Sequence, residues 1–253
     1  LIREKILNIK LEASDENHIL DQSKVLLDSN NGNGLFIRSD TNVEDLPQFS
    51  GAGLNKTIAN VIDIEKIISS IKEVWSSPWS ERSYSWRKQF IKNPNKILPS
   101  VVIMHSVDCY KSGIFANKNL NTNSEDDMFI SANEGLGFKV VDGLETPEQW
   151  ILHNAGASNQ SVDDRLRLVN RVKAFTKFVF DSVNGGIKEI ATTLRSVLSL
   201  DEIEQLEMIS VKIKKEFLNQ ASVMESEFGV DKNGKVIVFQ ARPFVESGSQ
   251  ETK

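Results

Sequence analysis

The stretch "ASVMESEFGVDKNGKVIVFQARPF", residues 221–244, constrains the fold more than any other part of the chain. Two apolar or alternating runs flank Asn233-Gly234, and Asn-Gly in that setting is the strongest short-range signal for an antiparallel hairpin. Side chains alternate faces along a strand, so Glu225 shares a face with Glu227, and Gln240 shares one with Arg242. A two-residue turn at Asn233-Gly234 makes paired positions sum to 467, which sets Glu227 opposite Gln240 and Glu225 opposite Arg242. A wider loop shifts the pairing by two residues and leaves all four on one face. Two carboxylates, an amide and a guanidinium then converge. Hard cations such as Mg2+ take oxygen ligands, commonly one or two carboxylates plus substrate phosphates. An arginine beside them clamps phosphate through paired N–H groups. The plainer alternative is a solvated strand face whose cross-strand ion pairs are worth under about 1 kcal/mol.

Other elements are read from periodicity. "LFIRS" is the first strand, entered through the polar lead "SNNGNG". "IDIEKIISSIKEVW" places Ile64, Ile67, Ile68, Ile71, Val74 and Trp75 at helical spacing, and a second helix carries Trp79, Trp86 and Phe90 up to Pro94. "ILPSVVIMHSV", "KSGIFANKN" and "DDMFISAN" have strand composition, the last two joined by a polar loop at 119–126. "RLRLVNRVKAFTKFVFDSV" reads as a helix with Leu168, Val172, Phe175 and Val179 on a core stripe, stopped by Asn184-Gly185-Gly186. Ser199 and Glu202 form a capping box for a helix bearing Ile203, Leu206, Ile209, Ile213 and Phe217.

Composition narrows the partners. A net charge of −5 over 253 residues leaves no electrostatic footprint for nucleic acid or an anionic membrane. The chain contains no 18-residue apolar run and no signal-peptide core at its start. A single cysteine, Cys109, fits a reducing compartment, so a cytoplasmic location is expected. A first residue of Leu rather than Met suggests a fragment or processed product of a longer protein.

Near the front, "LFIRSDTNVEDLPQFSGAGLNKT" sets a cation, acids and a Gly-rich turn directly after a strand. Arg38 closes the strand, Gly51 and Gly53 let backbone amides approach an anion, and Ser50 and Thr57 add hydroxyl donors. Glu44 and Asp45 are candidates to orient Arg38. The segment does not fit G-x-x-x-x-G-K-[ST], so it is not a Walker-type loop. Taken alone, a Gly-rich turn is more often only a turn.

In order, "IRSDTNVEDLPQFSGAGLNKTIANV", "VWSSPWSERSYSWR", "VVIMHSVDCYKSGIFA", "NEGLGFKVVDGLETPEQW" and "VMESEFGVDKNGKVIVFQARPF" resemble the nucleotide-binding domain of phosphoenolpyruvate synthase and pyruvate phosphate dikinase, from about residue 34 to 244. "RSDTNVEDL…GAGL" is also similar to the glucan water dikinases. The resemblance implies an α+β, ATP-grasp-like fold, with a partial N-terminal lobe carrying a helical insert at 1–99, a C-terminal lobe of mainly antiparallel sheet flanked by helices at 100–245 and a tail at 246–253. It implies Mg-dependent phosphoryl transfer from ATP to a histidine on a separate phosphohistidine-carrying domain, in cis of a longer chain or in trans. By motif, Arg38 and Arg242 are the phosphate-contacting, catalytic arginines. Ser50, Gly51, Ala52, Gly53 and Thr57 belong to the loop over the phosphates. Met104 and Ser106 lie on the adenine-facing strand, Glu225, Glu227 and Gln240 at the metal, and Gln240 with Arg242 at the nucleotide. Arg38 and the hairpin patch are thus expected to meet at one polyphosphate, where positioning and charge neutralisation carry most of the chemistry.

The sequence also departs from the family pattern. The D-x-E metal pair reads Glu225-Ser226-Glu227, and G-L-G-E reads Gly135-Leu136-Gly137-Phe138, with Glu134 on the other side. Lys5, Lys10 and Lys24 sit in no nucleotide-binding motif, and His18, His105 and His153 in no phosphohistidine motif. These departures keep two further readings in view: a non-catalytic nucleotide-binding or interaction domain, and a glucan dikinase component.

Overall fold

The structure, a computed structural model, describes every residue except 1, 31, 43–44, 47–48, 51–53, 92, 94, 139–145, 158, 194–195, 218, 220 and 245–253; of 45, 46, 49, 50 and 90 it describes the backbone alone. The chain divides into two compact units. Unit 1 comprises residues 1–106, 180–187 and 245–253, and unit 2 comprises 107–179 and 188–244.

In unit 1, helices α1 (Ile2–Leu7) and α2 (Ala13–Ser29) precede strand β1 (Leu35–Thr41). A small ladder of β2 (Asp45–Leu46) and β3 (Phe49–Ser50) follows, then β4 (Thr57–Val61), α3 (Ile67–Ser76), α4 (Glu81–Phe90) and β5 (Pro99–His105). β1 lies between β4 and β5 in an antiparallel sheet. Period-two alternation sorts its side chains: Leu35 and Ile37 are fully buried and pack with Ile67, Ile68, Ile71 and Val74 of α3. Phe36 and Arg38 point to the opposite face. The helical spacing read at 64–75 therefore produces the expected core, each buried aliphatic contributing roughly 1.5–3 kcal/mol. Trp79 lies in a separate 3-10 turn, Ser77–Trp79, ahead of α4, whose N-cap Ser80 accepts from the Ser83 N–H.

Unit 2 is built on a six-stranded antiparallel sheet, β13-β12-β6-β7-β8-β9, comprising β6 (Lys111–Ala116), β7 (Met128–Glu134), β8 (Glu148–Leu152), β9 (Leu166–Asn170), β12 (Met224–Val230) and β13 (Val236–Pro243). Helix α5 (Leu200–Glu216) covers one face. There Ile203 and Leu206 join Phe115, Met128, Ile130, Trp150, Leu152 and Phe228 in a continuous core. α5 carries the expected capping box, with the Ser199 hydroxyl accepting from Glu202 N–H and the Glu202 carboxylate accepting from Ser199 N–H. Ala116, Phe129 and Ile151 pack together on the other face.

Two expectations fail. Residues 166–183 are not a helix but the edge strand β9 followed by the hairpin β10 (Thr176–Phe180) and β11 (Ile187–Ala191). The segment is rich in Val and Phe, which suit a pleated surface, and strand alternation competes with helical spacing in such runs. The supposed core stripe dissolves: Phe175 is 87% exposed, whereas Val172 packs on the core. Gly185 (φ 73°) and Gly186 (φ 74°) turn the hairpin rather than end a helix.

The second correction concerns the turn at Asn233-Gly234. Asp231 N–H bonds to Lys235 O, and Gly234 (φ 78°) donates to Asp231 O, so the loop has three residues. The Asp231 carboxylate accepts from the Asn233 and Lys235 N–H groups. Near the turn, partners sum to 466 (Val230↔Val236, Phe228↔Val238); a bulge then leaves Phe239 as the extra residue and restores Glu227↔Gln240 and Glu225↔Arg242. The expected pairing of the four polar residues holds, through a different turn.

Candidate functional site

In unit 2 the four polar residues share the sheet face turned away from α5. Glu225 aligns with Ala116 of β6, and Ala116 with Phe129 of β7, which places the carboxylate on the Phe129 side. Arg242 meets Glu225 directly, with Nη2 at 2.6 Å and Nε at 3.1 Å from the same Oε1. Both side chains are 17% exposed, enough to remain reachable from solvent. One row along, Glu227 faces Gln240, and Glu227 makes no ion pair with a described residue. Among the described residues no group of three or more His, Cys, Asp or Glu side chains converges. Glu225, Glu227 and Gln240 carry side-chain oxygens, the donor type that Mg2+ takes alongside water and phosphate oxygens.

In unit 1 the sheet face away from α3 gathers another set. Arg38 on β1 is aligned with Thr57 of β4 on one side and Val102 of β5 on the other, and Phe36 is aligned with Met104. Arg38, Thr57 and Met104 therefore share a face, a clustering that follows from register alone. Ser50 is described as backbone in β3, and Gly51, Ala52 and Gly53 lie outside the described residues, as does Glu44. The far end of that segment is fastened to the region around α4: Ser83 Oγ donates to Leu54 O, and Lys56 N–H donates to Ser77 Oγ.

Ser106 is 1% exposed and its groups are engaged within unit 1. Its N–H donates to Gly34 O, its carbonyl accepts from Asn30 Nδ2, and its hydroxyl accepts from Asn60 N–H. Met104 lies on β5, an outer strand of its sheet.

Two cations escaped the sequence reading. Arg87 on α4 is 3% exposed, with Nη1 bonded to Pro78 O, and Nε and Nη2 have no hydrogen-bond partner among the described residues. Burial lowers its pKa. A buried guanidinium with spare donors, one turn beyond the serine that anchors Leu54, is equipped to meet an anion. The signal was the "SERSYSWR" run, where Ser83 and Arg87 are four apart on one helix face. Lys177 on β10 is the other. It pairs with Glu134 and lies 5.0 Å from the centroid of the Tyr110 ring. Glu134 also accepts from Thr193 N–H and Oγ1 at 2.7 and 2.6 Å. Its carboxylate is thus engaged within unit 2 by Lys177 and Thr193.

Residues 1–253 match the family model described as pyruvate phosphate dikinase, AMP/ATP-binding domain. The chain belongs to that family. It is similar to a probable phosphoenolpyruvate synthase of Methanocaldococcus jannaschii, 30% identical over 224 residues, covering 86% of this chain and 18% of the relative. A probable phosphoenolpyruvate synthase of Pyrococcus abyssi is 30% identical over 154 residues, covering 60% and 19%. An uncharacterized phosphotransferase of Bacillus subtilis is 28% identical over 209 residues, covering 82% and 24%. The chain thus spans less than a third of the length of these relatives. As a member of the pyruvate phosphate dikinase AMP/ATP-binding domain family, it is an ATP-binding module of the dikinase type, as its motifs implied. No helix among the described residues is long and apolar enough to cross a membrane.

Proposed function

We propose that this domain binds Mg-ATP in an ATP-grasp-like, two-lobed fold and passes a phosphoryl group to a histidine on a phosphohistidine-carrying domain, in cis of a longer chain or in trans. The observation that carries the reading is the opposed pairing of Glu225 with Arg242 and Glu227 with Gln240 on one reachable sheet face. Glu225, Glu227 and Gln240 are assigned to the metal, which when bound neutralises phosphate charge and orients the nucleotide tail. Arg242 supplies a planar donor pair to phosphate oxygens, exchanging its Glu225 partner for them. The family motif assigns Arg38, Thr57 and the Ser50–Gly53 segment to phosphate and Met104 and Ser106 to the adenine, and Arg87 is a further buried cation of unit 1. Phosphoryl transfer needs little covalent chemistry from the protein, so positioned cations suffice for its part. A cytoplasmic location belongs to the same reading and rests on the single cysteine, which is buried.

A second reading is favoured by one observation: Glu134 is consumed by Lys177 and Thr193, leaving Phe138 without a carboxylate in its place. In that reading the domain binds nucleotide without transferring phosphate. Calorimetry with Mg-ATP tests what the two share: heat in the wild type, lost on Arg242→Ala and Glu227→Ala, is expected, and silence of the wild type removes both. Incubation with ATP labelled at the β or γ phosphate, together with a histidine-carrying domain of a relative, separates them. Label on the histidine supports transfer, and its absence with ATP binding intact supports the second reading.

A further inference from the structure

Asn60 lies at a break in the β4 ladder. Leu35 pairs with Val61 and Ile37 with Ile58, so Ala59 and Asn60 together oppose Phe36 in a β-bulge. Asn60 takes φ 52°, a left-handed conformation that asparagine tolerates better than most residues, and it is 2% exposed. Bulges recur next to active sites, where they re-aim a side chain.

The redirected groups of Asn60 reach the places where the chain leaves unit 1. The backbone passes between units after residue 106 and again at both ends of the excursion 180–187. Asn60 N–H donates to Ser106 Oγ (3.1 Å), at the first exit. Its Nδ2 donates to Asp181 O (3.0 Å) and Gly186 O (3.1 Å), and its carbonyl accepts from Gly186 N–H (2.8 Å), at the second and third. Its Oδ1 accepts from Gly34 N–H (3.0 Å), and Gly34 O in turn accepts from Ser106 N–H. A Cβ at Gly34 would lie 2.6 Å from the Asn60 carbonyl carbon, so the approach admits only glycine. Every polar group of this buried asparagine is thus bonded, three of the four at the exits.

We infer that Asn60 is a positioning residue for nucleotide binding. It holds the Met104–Ser106 end of β5 and the 180–187 excursion in one fixed arrangement, and so presets the strand assigned to the adenine. This rests on the proposed Mg-ATP site. Asparagine serves because it alone among the common side chains offers a donor pair and an acceptor while accepting the left-handed bulge.

The test uses the 253-residue chain in Mg-ATP calorimetry and amide hydrogen exchange, both well below each variant's Tm. Asn60→Asp keeps the acceptor and loses both Nδ2 donors; Ser106→Ala removes one bond and serves if the first does not fold. Ile71→Val trims the core against α3 and removes none of these bonds. Expected are affinity for Mg-ATP lowered roughly 10- to 100-fold in Asn60→Asp, the range that small misplacements produce, and faster exchange at 181–187 and Ser106. Ile71→Val should bind within about twofold of wild type. Affinity unchanged in Asn60→Asp despite faster exchange overturns the inference, leaving a purely structural strap; unchanged exchange overturns it too. Silence of the wild type toward Mg-ATP sinks the nucleotide reading and this inference with it, whereas a binding wild type with an indifferent variant sinks the inference alone.

Discussion

Arg242 and Glu225 are direct cross-strand partners, and the guanidinium approaches Oε1 to within 2.6 Å. The same carboxylate that is assigned to a metal therefore competes with phosphate for the arginine. Under the proposed assignment, a metal held at Glu225 would release Arg242 to the nucleotide, so metal and ATP should bind cooperatively.

That coupling predicts opposite behaviour for the two partners. Arg242→Ala should cut Mg-ATP affinity about 10- to 100-fold, the loss of a charge-assisted bond worth about 1.5–3 kcal/mol. Glu225→Gln should weaken dependence on Mg2+ and tighten metal-free ATP binding, because the guanidinium no longer has an ionised competitor. Titration calorimetry with and without EDTA reads both.

The buried pair Arg165–Glu207 predicts acid sensitivity. Burial alone would raise the Glu207 pKa, but the Arg165 bonds (2.7 and 2.9 Å) and the Gly156 N–H hold it below its ordinary 4.5. Burial likewise opposes and is outweighed at Asp127, where Asn119, the Asn154 N–H and His153 hold the carboxyl below 3.8. A depressed folded pKa means the stabilisation is complete above the unfolded value and is lost as pH falls through the folded one. Urea midpoints should therefore stay flat from neutral pH toward 5 on account of these two groups, then fall. Glu207→Ala should cost about 3–5 kcal/mol at pH 7 by leaving Arg165 buried and unpaired, and should flatten the acid limb.

Cys109 provides a probe of unit 2. Burial first, then Asp108 and Asp231, push its thiol to about 12. It should resist alkylation at pH 8 in the native state and react promptly in urea. A Cβ at Gly229 would overlap the Cys109 sulfur and lie 2.8 Å from Phe239 Cζ, so Gly229→Ala should cost about 1–3 kcal/mol and expose the thiol. Mass-spectrometric labelling rates test both.

At α5, Ser199→Ala removes the hydroxyl that accepts from Glu202 N–H. A loss of about 1 kcal/mol is expected from a Tm shift, with Mg-ATP affinity unchanged.

Much of this was legible in the residues themselves. The helix at 200–216 was readable because its stop and start signals act locally, and the hairpin carrying Glu225 and Arg242 because Asn233-Gly234 marks its turn. The pairing held only because the bulge at Phe239 cancels a one-residue offset from the three-residue loop, a compensation no local pattern reveals. The run from Leu166 to Val183 was misread because an exposed edge strand and hairpin carry apolar residues, such as Phe175, that helical spacing credits to a core. Asn60 was invisible for a deeper reason. Its meaning lies in partners up to 126 positions away, Gly186 being the longest reach.

The excursion at 180–187 has a consequence for how the polypeptide is made. Emerging from the ribosome, the first 106 residues would leave both Nδ2 hydrogens of Asn60 unanswered until some eighty more had been synthesised, since the carbonyls that accept them belong to Asp181 and Gly186. The amino-terminal half therefore cannot mature first and wait. It finishes only after most of unit 2 has left the exit tunnel, and excision of residues 1–106 as a stand-alone fragment should yield a loosened, protease-sensitive product.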